Sequence, residues 1–402
     1  MKYVHIADCH LGSWREPKLR EINKKAFISV IDFCIEKKID FLLISGDLFN
    51  TALPPIESIK LAVQQLKKLK DNRIMVYAIA GSHDFSPSGK TILDVLESAG
   101  LIIDVSRGET IDGKLKLKFT EDLKTGIKIT GLIGKKGGLE KNYYYNLIRD
   151  NLENEKGYKI FLFHTAISEL KTKELSEMES MPISLLPKGF NYYAGGHVHV
   201  IDKKQFENYQ NIIYPGPIWP NSFSEIEKLG KGGFVYVDNA KIEQMKIEPK
   251  QILSVNLNLD GKSPSEAEEA IINSIKEEAE EAIITIRLEG CLRKGKITEI
   301  NFKKIFEKLY SLGAYFVMKN TSKLKTKEFE QIQISENSVE QIESKLINEH
   351  SGQSKIFEKE KEKEMIKQLF IQLSAEKQEG EKNPDFEKRI TLSSDKLIME
   401  TS

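Results

Sequence analysis

Carboxylates and imidazoles recur in short clusters along the first half of the chain. Asp8 and His10 stand two apart in Asp8-Cys9-His10. Asp47 follows Gly46, His83 and Asp84 follow Gly81-Ser82, and His164 ends an apolar run. His197 and His199 close the series in Gly195-Gly196-His197-Val198-His199. Residues two apart at a strand end send their side chains to the same side. Carboxylate with imidazole suits borderline divalent ions such as Mn²⁺, Fe²⁺ or Zn²⁺ rather than Ca²⁺. Asp8 and Asp47 with His10, His164, His197 and His199 exceed one tetrahedral site. They match two ions about 3.5–4 Å apart that share a carboxylate. The neighbouring glycines permit tight turns and close approach of backbone to a ligand. Singly, the clusters say little: Asp-x-His is often a surface coincidence, Gly-Asp an ordinary turn, and Gly-His-x-His moderately specific. Their joint order carries the weight. His5 alternates into a strand and is expected in the core or on the sheet surface. His350 belongs to no cluster and is expected at the surface.

Positioning such a set requires strands that deliver each cluster to one edge. Tyr3–Ala7, Phe41–Ser45 and Ile74–Ala80 are apolar runs that predict buried strands. Helical spacing fills the intervals: Ala26, Val30, Ile31 and Phe33, then Ile56, Ile59, Val63, Leu66 and Leu69, then a short helix over 91–99. Strands alternating with helices predict an α/β fold with a helix-covered sheet. Each cluster falls at the C-terminal end of a predicted strand, the edge where open α/β sheets build binding sites. Beyond Ile127 the texture is richer in strands, at 127–132, 159–164, 190–194 and 211–214. A hairpin closes around Asp238-Asn239, an Asx turn signal. The same domain is expected to run through residues 1–250 as a mixed sheet or two-sheet sandwich.

A β-α-β-α-β order over 251–320 predicts a second, small α/β unit, with Ser263-Pro264-Ser265 opening its first helix. Residues 321–402 read as a polar linker over 321–338 and then amphipathic helices. Val339, Ile342 and Leu346 share one helical face, and Met365, Ile366, Leu369, Phe370 and Leu373 another. Such helices bury little core alone, so docking onto a partner explains them better than packing on the main body.

With 402 residues, the chain has room for two or three domains. Sixty basic and sixty acidic residues cancel, which excludes the strongly basic signature of a DNA-coating protein but not a local nucleic-acid patch. Cys9, Cys34 and Cys291 are too few and scattered for a disulfide framework or a cysteine zinc site. The opening MKYVHIADCHLG lacks a signal-peptide apolar run, and no long apolar span occurs. A cytoplasmic protein with no membrane association is expected.

The opening HIADCHLG, then ISGDLFN, GSHDFSPSGKTILDVLESAGL, GGHVH and YPGPIWP, resembles the calcineurin-like metallophosphoesterases. More narrowly it resembles the archaeal DNA double-strand-break repair nucleases of the Mre-eleven/SbcD type. That resemblance implies a β-sandwich flanked by helices over 1–250, a capping domain over 251–320 and a helical ATPase-binding element in 321–402. It implies two Mn²⁺ per subunit. Asp8, His10, Asp47 and His199 would hold one; Asp47, His164 and His197 the other, with Asp47 bridging. The family has Asn where this chain has Ser82, so Ser82 is a departure within the second site. His83 would serve the scissile phosphate, with Asp84 orienting its ring. The implied activity is 3′→5′ exonuclease action on double-stranded DNA ends and endonuclease action on single-stranded DNA, serving repair by homologous recombination. A homodimer and an SMC-like ATPase of the Rad-fifty/SbcC type are the implied partners, the dimer forming through 56–70 and 91–99. Two rivals remain at this stage: a phosphoesterase acting on phosphoproteins or small phosphodiesters, and a non-catalytic DNA-end-binding scaffold. Arg15, Lys18, Arg20 and Lys90 are candidate DNA contacts.

Overall fold

The computed structural model describes residues 1–85, 91–171, 177–275, 279–326, 347, 358–375, 377, 381 and 383–401. Two six-stranded sheets face one another over residues 1–247. In the first, Lys2–Ile6, Phe41–Ser45, Met75–Ile79 and Ile103–Asp104 run parallel in that order. The antiparallel hairpin Gly232–Asp238 and Lys241–Ile247 lies beside Lys2–Ile6. In the second, Lys128–Gly131, Lys159–His164, Tyr192–Gly196 and Tyr209–Pro215 are parallel neighbours, edged by Thr120–Glu121 and Ile201–Phe206.

Strand alternation builds the layers. Tyr3, Phe41, Leu43, Tyr77 and Ile79 meet Ile129, Ile160, Leu162 and Tyr192 between the sheets. Val4, Ile6, Leu42, Ile44 and Val76 point the other way, into a core shared with helices Pro17–Glu36 and Ile56–Asp71. Both faces of these strands are buried, which is why they read as continuous apolar runs. Each such side chain contributes about 1.5–3 kcal/mol by leaving water. His5 is wholly buried between the sheets, as its alternation predicted, with Nδ1 3.0 Å from the Tyr192 hydroxyl; burial lowers its pKa to about 3.

The apolar stripe of helix Ile56–Asp71 divides. Leu66 and Leu69 are buried against the sheet, whereas Ile56 and Val63 are exposed. In the short helix within 91–99, Leu93 and Leu96 are buried and Val95 is exposed. The hairpin turn falls at Asn239 and Ala240, both in the left-handed region (φ 46° and 74°).

A third sheet is fully parallel, with Ile252–Asn258, Ile283–Leu292 and Phe316–Thr326 in order and helices Pro264–Ser274 and Phe302–Ser311 between them in sequence. It packs its own core around Ile271, Ile284, Ile286, Leu288, Ile305 and Leu309. Ser263 caps the first helix: its Oγ accepts from the Glu266 N–H, and the Glu266 carboxylate accepts from the Ser263 N–H. The last strand runs on through Thr326, into the stretch read as linker, because Leu324 and Thr326 are buried.

Residues 329–402 form a separate unit, in which helices Lys359–Leu373 and Asn383–Thr401 pack together. The second of these helices was not anticipated. The helix expected over Val339, Ile342 and Leu346 lies outside the described residues, as do His350 and Lys90. Among the described residues no helix is long and apolar enough to cross a membrane.

Candidate metal centre

The strand ends converge as the spacing predicts. Ligand atoms of Asp8, His10 and His199 lie within 4.8 Å of one another; so do those of Asp8, Asp47 and His164, and those of His10, Asp47 and His83. Asp47 stands between the clusters, its Oδ2 3.2 Å from His164 Nε2, 3.7 Å from His10 Nε2 and 3.4 Å from Ser82 Oγ. His199 Nε2 lies 3.0 Å from His10 Nε2 and 3.8 Å from Asp8 Oδ1. His197 joins through its backbone, whose N–H donates to the Asp8 carboxylate at 2.9 Å, and its ring stands 5.1 Å from that of His164. Asp47, Ser82, His83, His197 and His199 line one cavity of about 500 Å³.

The backbone that delivers these groups is bent. Asp8 (φ 52°), His10 (44°), Asp47 (52°), His197 (93°) and His199 (49°) all occupy the left-handed region. Each costs on the order of 1–3 kcal/mol and persists only where surrounding bonds over-determine it. Here the first two loops are stitched together: Asp8 N–H donates to Gly46 O, His10 N–H to Asp47 O and Leu11 N–H to Leu48 O, at 3.0–3.1 Å. Glycine is required at two points of closest approach. A Cβ at Gly46 would collide with the His164 ring, and one at Gly81 with the Asp47 carboxylate.

Hydrogen bonds set the tautomers. His164 Nδ1 lies 2.8 Å from the Ser45 carbonyl, so it carries a proton and Nε2 is the nitrogen left to face Asp47. That Nε2 is fully buried and finds no aligned hydrogen-bond partner among the described residues. A buried nitrogen beside a carboxylate, whose proton a cation can displace, fits a cation ligand. Burial works against charge on His164, but Asp47 and then Asp8 raise its pKa to about 10. Burial would raise Asp47, yet His164 and then His10 hold it well below the usual carboxylate range. Burial keeps His10 and His197 neutral, with pKa values near 3. A field that attracts a proton attracts a divalent ion as well, so the residues present fit a pair of cations.

One expectation is corrected. Asp84 does not touch the His83 ring: its oxygens accept from the Phe49 and Gly81 N–H groups at 3.0 and 2.9 Å, pinning two loops together. His83 is oriented by Asn50, whose carbonyl lies 2.8 Å from Nδ1, and its backbone N–H donates to Asp47 Oδ1 at 2.7 Å. Lys18 and Arg20 are engaged internally. Lys18 donates to the Tyr315 carbonyl, and Arg20 to the Trp14 and Arg15 carbonyls. Sequence reasoning missed Glu225, whose Oε1 lies 3.1 Å from His199 Nδ1. The spacing Ser222-x-x-Glu225 marks a helix start and was the one available signal.

Carboxylates and imidazoles gathered at the C-terminal strand edges of a helix-flanked sandwich define a metal-dependent phosphoesterase. The sequence pattern of the family described as "Calcineurin-like phosphoesterase" matches residues 1–201. Relatives sharing the name "DNA double-strand break repair protein Mre11" match over longer spans. The one from Archaeoglobus fulgidus is 25% identical over 341 residues, covering 77% of this chain and 75% of its own. That from Methanocaldococcus jannaschii is 32% identical over 285 residues, covering 66% and 72%. That from Methanococcus maripaludis is 28% identical over 363 residues, covering 85% and 89%. The chain belongs to the calcineurin-like phosphoesterases and, within them, to the Mre11 proteins.

Proposed function

We propose that the protein is a Mn²⁺-dependent DNA nuclease acting on double-strand breaks, as an exonuclease of 3′→5′ polarity on duplex ends and an endonuclease on single strands. The observation that carries this reading is Asp47, set between the His10 and His164 nitrogens where one carboxylate can serve two ions. The name shared by the relatives supports DNA as substrate. Asp8, His10, Asp47 and His199 would hold one ion, and Asp47, His164, His197 and Ser82 the other. The ions, when bound, supply activation of water and neutralisation of charge on the phosphate oxygens. His83, held by Asn50 through Nδ1–H, would in its doubly protonated form give its Nε2 proton to the leaving oxygen. Residues 1–250 form the nuclease part and 251–320 the cap. The test is cleavage of oligonucleotides and of p-nitrophenyl phosphate with Mn²⁺, by wild type and His164→Ala. DNA cutting that EDTA and His164→Ala both abolish is expected. Hydrolysis of p-nitrophenyl phosphate with no DNA cutting would reject the nuclease reading in favour of a small-substrate phosphoesterase.

Ser82 is buried with its hydroxyl 3.4 Å from Asp47 Oδ2, at the second site but shorter than an amide. A neutral hydroxyl is a weaker donor to a cation than an amide oxygen, so the second site is the weaker. Titration with Mn²⁺ should resolve two unequal affinities, and Ser82→Asn should tighten the weaker one by about 10-fold, by analogy with other single changes around metal sites. Superimposable isotherms would mean that Ser82 already suffices.

The partners proposed are DNA ends, a second copy of the chain and an SMC-like ATPase, in the cytoplasm. Exposed Leu53, Ile56, Val63 and Val95 favour a dimer through helices Ile56–Asp71 and Ile92–Ser98, with a two-fold axis holding two sites to bridge ends. Exposed Phe370, Ile371, Leu373, Leu392 and Met399 favour docking of the C-terminal helices onto the ATPase. Light scattering at micromolar concentration should give a dimer mass for both the full chain and a truncation lacking 329–402. Only the full chain should co-purify with the ATPase. A monomer mass would refute the dimer, and retained co-purification by the truncation would refute the docking site.

A further inference from the structure

Helix Phe223–Leu229 carries two glutamates with different tasks. Glu225 Oε1 lies 3.1 Å from His199 Nδ1, while its Oε2 accepts from the Asn221 N–H at 2.9 Å. The carboxylate is therefore fixed at both oxygens. Its helix is capped by Ser222, whose Oγ accepts from the Glu225 N–H at 3.1 Å. Glu227 takes the Arg287 guanidinium through Nε, at 2.9 and 3.1 Å, and through Nη2. Arg287 also lies over the Phe223 ring, 5.2 Å from its centroid. Arg287 belongs to the central strand of the third sheet, so that sheet anchors the helix holding Glu225.

We infer that Glu225 is the positioning residue for His199. A nitrogen beside a carboxylate carries its proton, so Nδ1–H donates to Glu225 and Nε2 turns its lone pair toward Asp8 and His10. Nε2 meets His10 Nε2 at 3.0 Å, so in the metal-free chain one proton lies between the two nitrogens, at the place a cation would take. Without Glu225 the imidazole is free to change tautomer or rotate. The His199 side chain is 23% exposed, whereas those of His164 and His10 are almost wholly buried. His164 needs no such carboxylate, because the Ser45 carbonyl performs the task from within the sheet.

This inference rests on the metal-centre reading, and the experiment separates the two. The metal-free full-length chain is titrated with MnCl₂ by calorimetry, with circular dichroism as the check on folding. Wild type should bind, and His199→Ala should lose the site that His199 serves. Wild type that takes up no Mn²⁺, or a His199→Ala isotherm equal to wild type, overturns the metal reading and this inference with it. Glu225→Ala should weaken the same site by about 10-fold or more, the usual effect of removing a ligand's hydrogen-bond partner. Glu225→Gln keeps an acceptor for Nδ1–H and should show an intermediate loss. A role confined to the helix start predicts lowered melting temperatures with isotherms matching wild type, and that result overturns the assignment. If the alanine variant does not fold, the glutamine isotherm decides alone: weaker binding supports the inference, and coincidence with wild type rejects it.

Discussion

Replacing His83 with glutamine should lower nuclease activity by roughly 10²–10⁴-fold, the range for loss of a positioned proton donor, while the Mn²⁺ isotherm stays as in wild type. The side chain lines the cavity beside Asp47 and Ser82 and packs edge-on to His10, 4.8 Å between ring centroids. Its Nδ1 is committed to the Asn50 carbonyl, which leaves Nε2 to meet the substrate. The backbone N–H of His83 holds Asp47 Oδ1, and a side-chain exchange preserves that bond. Activity and binding should therefore separate. The competing possibility is written into the same geometry, since His83, His10 and Asp47 also form a group compact enough to ligate. Loss of a Mn²⁺ equivalent along with activity would make His83 a ligand. Retained activity would remove it from the chemistry altogether.

Asp47→Asn should abolish measurable Mn²⁺ binding at both sites and with it all metal-dependent cutting. The Asp47 carboxylate lies 3.7 Å from His10 and 3.2 Å from His164, and its buried negative charge is what offsets bringing two cations out of water. Asparagine matches the shape and keeps an oxygen for the His83 N–H, so the loop between Gly81 and Asp84 should survive. Circular dichroism should be unchanged. An Asp47→Asn protein that still binds two Mn²⁺ with wild-type affinity would show that Asp47 bridges nothing. Asp8→Asn is the informative comparison: Asp8 groups with His10 and His199 and is proposed to hold only the ion they share, so the site at His164 and His197 should outlast the other.

These expectations rest on a ligand set that local sequence made visible. Apolar runs ending in Asp or His, with glycine alongside, state where a strand stops and what it presents there. Strand and helix positions through 1–100 follow from periodicity, because residues on a strand or helix face are near in sequence as well as in space. The same logic exposed the small α/β unit over 251–320, whose last strand the structure carries on to Thr326, and the turn at Asp238-Asn239. Other elements carried weaker local signals. Ile201–Phe206 is an edge strand, polar and largely exposed, so it lacks the buried alternation that marks a strand. The hairpin Gly108–Ile111 with Lys114–Leu117 was overlooked despite its Asp112-Gly113 turn, because its first strand is exposed throughout and Leu117 is the one buried residue of the pair.

The sequence by itself determined the types of the candidate ligands, their order, the strand ends that bear them and the family to which they point. The tertiary structure alone decided how those groups meet. Asn50 rather than Asp84 orients His83, since the nearer carboxylate is consumed by the Phe49 and Gly81 amides. Ile56 faces outward while Leu66 faces the sheet, a division that depends on how the helix is rolled. Glu225 reaches His199 across a turn, and the Ser45 carbonyl reaches His164 across the gap between two sheets. Periodicity records which face of an element is apolar. It carries no information about which distant backbone carbonyl or carboxylate that face will meet, because those contacts are set by the packing of whole sheets and helices.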